Sequence, residues 1–232
     1  IFSLPRVPRN FEPDYFVGPL FGAYTPDSHV FKNIQNLLPG HWMSVENGVV
    51  NSPQPYWTPS FHTQNSMSFD DARHGVREHF TKAVERRMVA DVPVGSYLSG
   101  GLDSTLVCGL MSQRQKNFKS FNIGFEKTIY DEALLAEKIA HHYGVDFESV
   151  DCTTDKLVDA FEKSVWHVEV PIVNPNSIAK QILSQLVHSQ GYKVCLTGEG
   201  SDEVFGGYPY FIQEVLWDMK AQDLLKKFYK ME

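Results

Sequence analysis

The sequence predicts an α/β fold: a doubly wound, mostly parallel sheet, preceded by a short β-rich stretch. Three observations predict it. From Ser68 onward, short apolar runs alternate with amphipathic segments of helix length, which is the order of βαβ units. Two of the apolar runs end in glycine-rich turns, where open α/β sheets bind ligands. The first 60 residues, by contrast, hold 9 of the 13 prolines and show no helical periodicity beyond two turns.

Within that first stretch, Trp42-Met43-Ser44-Val45 and Gly48-Val49-Val50 read as strands between turns. Residues 58–68 are small, polar and unpatterned, as in a linker. Ser68 with Asp71 resembles a helix N-cap, and Ala72, Val76, Phe80, Val84 and Met88 follow on one helical face, with Pro93 predicted to stop the helix. Val94 to Leu98 is a short strand running into Ser99-Gly100-Gly101-Leu102-Asp103-Ser104 and a helix over 105–114. Residues 119–125 are strand-like. A helix over 131–143 is closed by Gly144, which suits the left-handed terminal position. Val145 to Val150 alternates with period two, 154–167 and 176–190 read as helices, and Tyr192 to Leu196 is a strand. The pattern over 209–230 is helical.

With 232 residues, 42% of them hydrophobic and 21% charged, the chain has the balance of an ordinary globular protein, not of a disordered or collagen-like one. The 21 basic against 28 acidic residues leave a formal charge of −7, which gives no electrostatic reason to expect nucleic acid or an anionic membrane as partner. No apolar run is long enough to span a bilayer. Cys108, Cys152 and Cys195 form no CxxC pair and no zinc-type cluster, and they fit free thiols in a reducing, cytoplasmic setting. The chain starts at Ile1 with no signal-peptide pattern, and it is expected to be a piece of a longer protein.

Two turns carry the chemistry. In Ser99-Gly100-Gly101-Leu102-Asp103-Ser104, paired glycines free the backbone to aim several N–H groups at one point, and the following helix adds its positive end. This is an anion cradle of phosphate size, though not a Walker loop, whose spacing and Lys are absent. Asp103 would repel a bare phosphate, which points to Mg²⁺ accompanying the anion. The alternative is a glycine turn with a capping Asp/Ser pair and no ligand; the full hexapeptide at a strand–helix junction favours the cradle. The second turn, Leu196 to Tyr208, sets Glu199, Asp202 and Glu203 within five residues. Acidic residues stabilised by a helix N-terminus would account for Asp202 and Glu203. They account poorly for Glu199, which lies between two glycines before the helix.

The hexapeptide SGGLDS resembles the pyrophosphate loop of the N-type ATP pyrophosphatases, and GEGSDEVFGGY at 198–208 resembles the signature of the glutamine-dependent asparagine synthetases. Residues 121–125, Tyr130-Asp131-Glu132-Ala133 and Glu169-Val170-Pro171 match places the family uses. Phe21 to Tyr24, Leu38-Pro39-Gly40-His41 and Tyr56-Trp57 are similar to the end of its glutaminase domain. The resemblance implies an adenine-nucleotide α-hydrolase-like sheet. It divides the chain into the C-terminal part of a glutaminase-type amidotransferase domain (1–57), a linker (58–67) and an ATP-pyrophosphatase domain (68–232), the last expected to continue beyond Glu232.

It also implies a reaction. ATP activates the aspartate side chain as β-aspartyl-AMP with loss of pyrophosphate, and ammonia, derived from glutamine, displaces AMP. Ser99, Gly100, Gly101 and Ser104 would grip the pyrophosphate, and Asp103 and Asp202 would hold Mg²⁺. Leu98 and Ile123 would line the adenosine site with main-chain and apolar contacts, and Thr197 and Gly198 would lie along the nucleotide from the other strand. Glu199 would be the catalytic base. The expected partners are aspartate, ATP and ammonia or glutamine, with no nucleic acid and no membrane, and a homodimer is compatible with the resemblance.

There are departures from the family pattern. Thr197 stands where Ser is usual, and none of the three cysteines lies near the start, where the glutaminase nucleophile would be. A β-lactam-forming or other carboxylate-adenylating relative, and an inactive nucleotide-binding module, stay open. A tRNA-modifying relative would need a basic surface that the chain does not offer. His141-His142, as helix neighbours, point to different faces and fit a solvated helix end better than a metal site. Trp166, Trp217, Phe228 and Tyr229 read as core or interface contacts, and the lysines late in the last helix as a solvated terminus.

Overall fold

A computed structural model describes residues 4–20, 29–60, 66–125, 132–172 and 174–211. In chain order, helix α1 spans Pro13–Leu20, and the short strands β1 to β4 span His41–Trp42, Val45–Glu46, Val49–Val50 and Gln54–Pro55. They are followed by α2 (Phe69–Arg87), β5 (Val94–Tyr97), α3 (Leu102–Arg114), β6 (Lys119–Gly124), α4 (Ala133–Tyr143) and β7 (Asp146–Asp151). The chain continues through α5 (Thr154–Val168), α6 (Asn176–Ser189), β8 (Val194–Leu196) and α7 (Ser201–Phe205). It divides into two compact units, Ile1–Arg73 with Thr154–Gln181, and His74–Thr153 with Ile182–Glu232. Among the described residues no helix is long and apolar enough to cross a membrane.

In the first unit, β1 pairs antiparallel with β4 and β2 with β3. The single run expected from Trp42 to Val45 is therefore split between two ribbons. The reason is local: Asn47 and Gly48 both take positive φ, 51° and 80°, so the chain reverses between Glu46 and Val49 in a two-residue hairpin turn. Helix α1, too short to be read from periodicity, opens with Pro13 at the position where a missing N–H costs nothing. Phe11 stacks on Phe31 and meets Phe16 edge-on, with centroids 5.4 and 5.8 Å apart. Those rings, with Val165, Trp166 and Pro171, border an apolar cavity of about 910 Å³. Trp166, expected in a core or interface, lies at that border and is 76% exposed. Trp217, Phe228 and Tyr229 lie outside the described residues, as does most of the helix expected over 209–230.

The second unit holds a four-stranded sheet in the order β7-β6-β5-β8, every pair parallel. One face is covered by side chains of α2, α3 and α4, with Val84, Val107, Met111 and Ala140 packed against Val94 and Leu98. On the other face Leu183 and Val187 of α6 pack against Phe121. Apolar helices on both faces are the doubly wound, mostly parallel arrangement that the alternating pattern predicts.

Helix α2 starts where expected, with the Ser68 hydroxyl 3.2 Å from the Asp71 amide and 2.6 Å from its carboxylate. It stops at Arg87, well short of Pro93: the Met88 amide is shared between the carbonyls of Val84 and Glu85, a tightened last turn. Gly144 and Gly191 take the left-handed conformation after α4 and α6, with φ of 66° and 81°. Helix α3 begins at Leu102 rather than 105, which brings Asp103 and Ser104 inside its first turn.

Candidate functional site

The strand order reverses at β5: the chain moves outward to β6 and β7, then returns to place β8 on the other side of β5. Ligands of open α/β sheets bind at such a switch point, outside the carboxyl ends of the two diverging strands. Ser96 is level with Leu196, so the segments beginning at Tyr97 and Thr197 leave the sheet side by side. Close approach of β5 to its neighbours depends on Gly95, where a side chain would meet Phe121, the Lys119 carbonyl and the Cys195 sulfur at 2.9 to 3.2 Å.

The first turn is built by its own hydroxyls. Ser104 Oγ accepts from the Ser99 amide at 3.2 Å and donates to the Gly101 carbonyl at 3.1 Å. The Ser99 hydroxyl accepts from the Gly101 amide at 3.3 Å and is 3.0 Å from Ser104 Oγ. Gly100 sits at φ 92°, a conformation that strains any other residue, and a Cβ there would stand 3.3 Å from Leu135 Cγ and 3.4 Å from the Ala136 amide nitrogen. Gly101 caps α3 without a side-chain bond, and the first helical bond runs from the Thr105 amide to the Gly101 carbonyl. The amides of the first turn therefore project from the helix end toward the turn, together with the positive end of the dipole.

In the second turn, Thr197 Oγ1 accepts from the Glu199 amide at 3.4 Å, and Gly200 turns the chain at φ 93° into α7. Gly198 carries no side chain, and an added Cβ would stand 2.8 Å from Asp103 Cβ and 2.9 Å from the Ser104 amide nitrogen. The two turns thus touch backbone to backbone, with Asp103 and Ser104 of one against Gly198 of the other. Beyond α7, Tyr208 donates a 2.8 Å hydrogen bond to Glu203. The Glu203 carboxyl is held below its usual range, first by the hydrogen bond of its own backbone amide and then by Tyr208. The same contact is the main cause pushing the Tyr208 phenol up to about 12.

Of the residues singled out from the sequence, Ser99, Gly100, Gly101, Asp103, Ser104, Thr197, Gly198, Glu199 and Asp202 all lie on these two neighbouring turns. Leu98 and Ile123 do not share a surface. The Leu98 side chain is 1% exposed in the core under α2, α3 and α4, whereas Ile123 packs with the cluster under α6. Among the described residues no group of three or more His, Cys, Asp or Glu side chains is gathered to hold a metal unaided. Mg²⁺ needs none, being bound through one or two carboxylates with substrate phosphates supplying further oxygens. The donor chemistry fits such a group, since each of the two adjoining turns carries a hard carboxylate, Asp103 on one and Asp202 on the other.

Sequence reading missed Asn122. Buried in the middle of β6, its side-chain amide donates to the Leu98 carbonyl at 2.7 Å, and its oxygen accepts from Ser149 at 3.2 Å. Leu98 is the last residue before the first turn, so Asn122 ties that turn to the sheet. The available signal was an amide side chain amid the apolar run Phe121 to Ile123, since such a group is buried only when bonded. Asn122→Leu would leave a buried carbonyl unpaired, and a loss of about 1–3 kcal/mol in stability is expected. Chemical denaturation measures it, and an unchanged midpoint would remove the tie from the account.

The profile of the asparagine synthase family matches residues 75–231. The chain is 37% identical over 204 residues to the amidase chyE of Penicillium rubens, a match that covers 80% of this chain and 30% of that protein. It is 35% identical to the amidase chry2 of Gibberella zeae over 78% of this chain and 30% of that protein. With asparagine synthetase [glutamine-hydrolyzing] 1 of Bacillus subtilis it shares 30% identity over 75% of this chain and 28% of that protein. The chain therefore spans about 30% of the length of the curated relatives it matches.

Proposed function

This chain belongs to the asparagine synthase family, and on that premise we propose that it forms the nucleotide-binding core of an ATP-dependent ligase converting the aspartate side-chain carboxylate to an amide. The observation that supports this best is the contact of Gly198 with Asp103 and Ser104, which makes one site of the two turns at the strand switch point.

In this reading ATP lies across the junction. Gly100 and Gly101 let the backbone approach the departing pyrophosphate, and the first-turn amides of α3 bond it. Because Ser99 and Ser104 bond one another and the loop, their hydroxyls grip the pyrophosphate chiefly by setting the shape of that cradle. Asp103 and Asp202 hold Mg²⁺, which when bound neutralises the polyphosphate charge. The main chain at Leu98, Thr197 and Gly198 runs along the nucleotide, with Ile123 flanking it from the neighbouring strand. A β-carboxylate oxygen of aspartate attacks the α-phosphorus, and pyrophosphate leaves. Ammonia, supplied from glutamine elsewhere in the intact enzyme, then attacks the acyl carbon of β-aspartyl-AMP. Glu199 takes the proton that the amine sheds, and AMP departs.

A second reading keeps this adenylation and changes the acceptor. It is favoured by the higher identity to two fungal proteins that are not named asparagine synthetases, 37% and 35%, against 30% for the Bacillus synthetase. Pyrophosphate release by the intact protein that carries this chain separates them. Release from MgATP that requires aspartate supports the first; release with other carboxylates but not aspartate supports the second. No carboxylate-dependent release would overturn both.

A further inference from the structure

Asp202 lies on a helix of only five residues, Ser201–Phe205, which has too few internal bonds to hold a side chain in place. What holds it is the chain that follows. Gly206 turns back at φ 69°, and its amide bonds to the Asp202 carbonyl. The next amide, of Gly207, bonds to the same carbonyl at 3.1 Å. Gly207 is then laid directly over the Asp202 carboxylate: a Cβ there would run into Asp202 Oδ1. The fold-back is closed one residue later by the 2.8 Å hydrogen bond from Tyr208 to Glu203. Tyr208 is steadied in turn by stacking on Tyr210, with ring centroids 5.2 Å apart.

We propose that Tyr208 and Glu203 are positioning residues which latch the Gly206–Gly207 fold-back over Asp202 and so orient its carboxylate toward Mg²⁺. The inference rests on the reading of Asp202 as a Mg²⁺ ligand. Neither latch residue need touch the metal or the nucleotide. Partners that orient a ligating carboxylate are worth about 10- to 100-fold in metal affinity, so the latch has a measurable job.

The test is calorimetric titration of the intact protein with ATP, once with Mg²⁺ and once with EDTA, so that the metal-dependent gain in affinity is read without turnover. Tyr208→Phe removes only the hydroxyl. It is expected to cut that gain about tenfold while leaving the metal-free affinity and the melting temperature unchanged. Glu203→Gln keeps an acceptor oxygen for Tyr208, and is expected to retain most of the gain. Gly207→Ala, which drives a methyl into the carboxylate, is expected to lose as much as Tyr208→Phe or more.

Asp202→Asn serves as the reference. If it leaves the gain intact, the reading of Asp202 fails and the latch fails with it. If it abolishes the gain while Tyr208→Phe does not reduce it, the latch alone is overturned. Equal losses for Tyr208→Phe with and without Mg²⁺ would also overturn it, since they would reveal a merely structural contact.

Discussion

Gly198→Ala is expected to lower affinity for MgATP about 100-fold and to destabilise the protein by about 1–3 kcal/mol. The added methyl would stand 2.8 Å from Asp103 Cβ, 2.9 Å from the Ser104 nitrogen and 3.1 Å from the Asp103 carbonyl carbon. Two of those three atoms are backbone in the first turn of α3, which is pinned by the bonds around Ser104 and cannot swing aside as a long side chain would. The turns must therefore part, and each carries groups proposed to face the same nucleotide. Gly75→Ala is the contrast. Within α2 nothing lies within 4 Å of a Cβ at that position, so alanine should stabilise by about 0.5–1 kcal/mol. Thermal melts and nucleotide titrations of the two variants measure both effects. Gly198→Ala binding MgATP as the parent does would show that the contact between the turns does not matter to the site.

That contact also marks how far the site was legible in the sequence. Each turn could be found alone, because its glycines, hydroxyls and carboxylates sit at a strand–helix junction whose periodicity changes abruptly. The Ser68 cap, and the left-handed positions of Gly144 and Gly191, were equally readable, since each depends on neighbours a few residues away. What could not be read was anything set by pairing across the sheet. Adjacency of β5 and β8 follows from the strand order, and only that adjacency brings Gly198 onto Asp103. For Asn122 the sequence offers an amide amid an apolar run but not its partners, Leu98 and Ser149, which lie on the two strand segments that flank it. A proline only forbids helix around itself, so Pro93 bounds α2 without fixing its end at Arg87. The Tyr208–Glu203 latch is local, yet it was hidden by the acidic run, in which Glu203 looked like a helix-dipole residue rather than an acceptor.

Glu199→Gln is expected to slow amide formation by about 10²–10⁴-fold while leaving nucleotide affinity unchanged. Glutamine keeps the size and shape of the side chain, and the contact that fixes the residue's backbone, its amide to Thr197 Oγ1, does not involve the carboxylate. Placement at the end of β8, between Gly198 and Gly200, carries Glu199 clear of the regular structure on either side. What the substitution removes is the capacity to take a proton. Adenylation needs no such acceptor, because the attacking carboxylate oxygen carries no proton and pyrophosphate leaves as an anion. The aminolysis step does need one: ammonia adds with a proton it must lose before AMP can depart. The two halves of the reaction should therefore come apart in this variant, with pyrophosphate release persisting beyond the amide produced. Quantifying pyrophosphate and amide in the same reaction of the intact protein reads that ratio directly. A ratio equal to the parent's, at the parent's rate, would take Glu199 out of the proton transfer. An equal fall in both products would instead place its role at adenylation or binding.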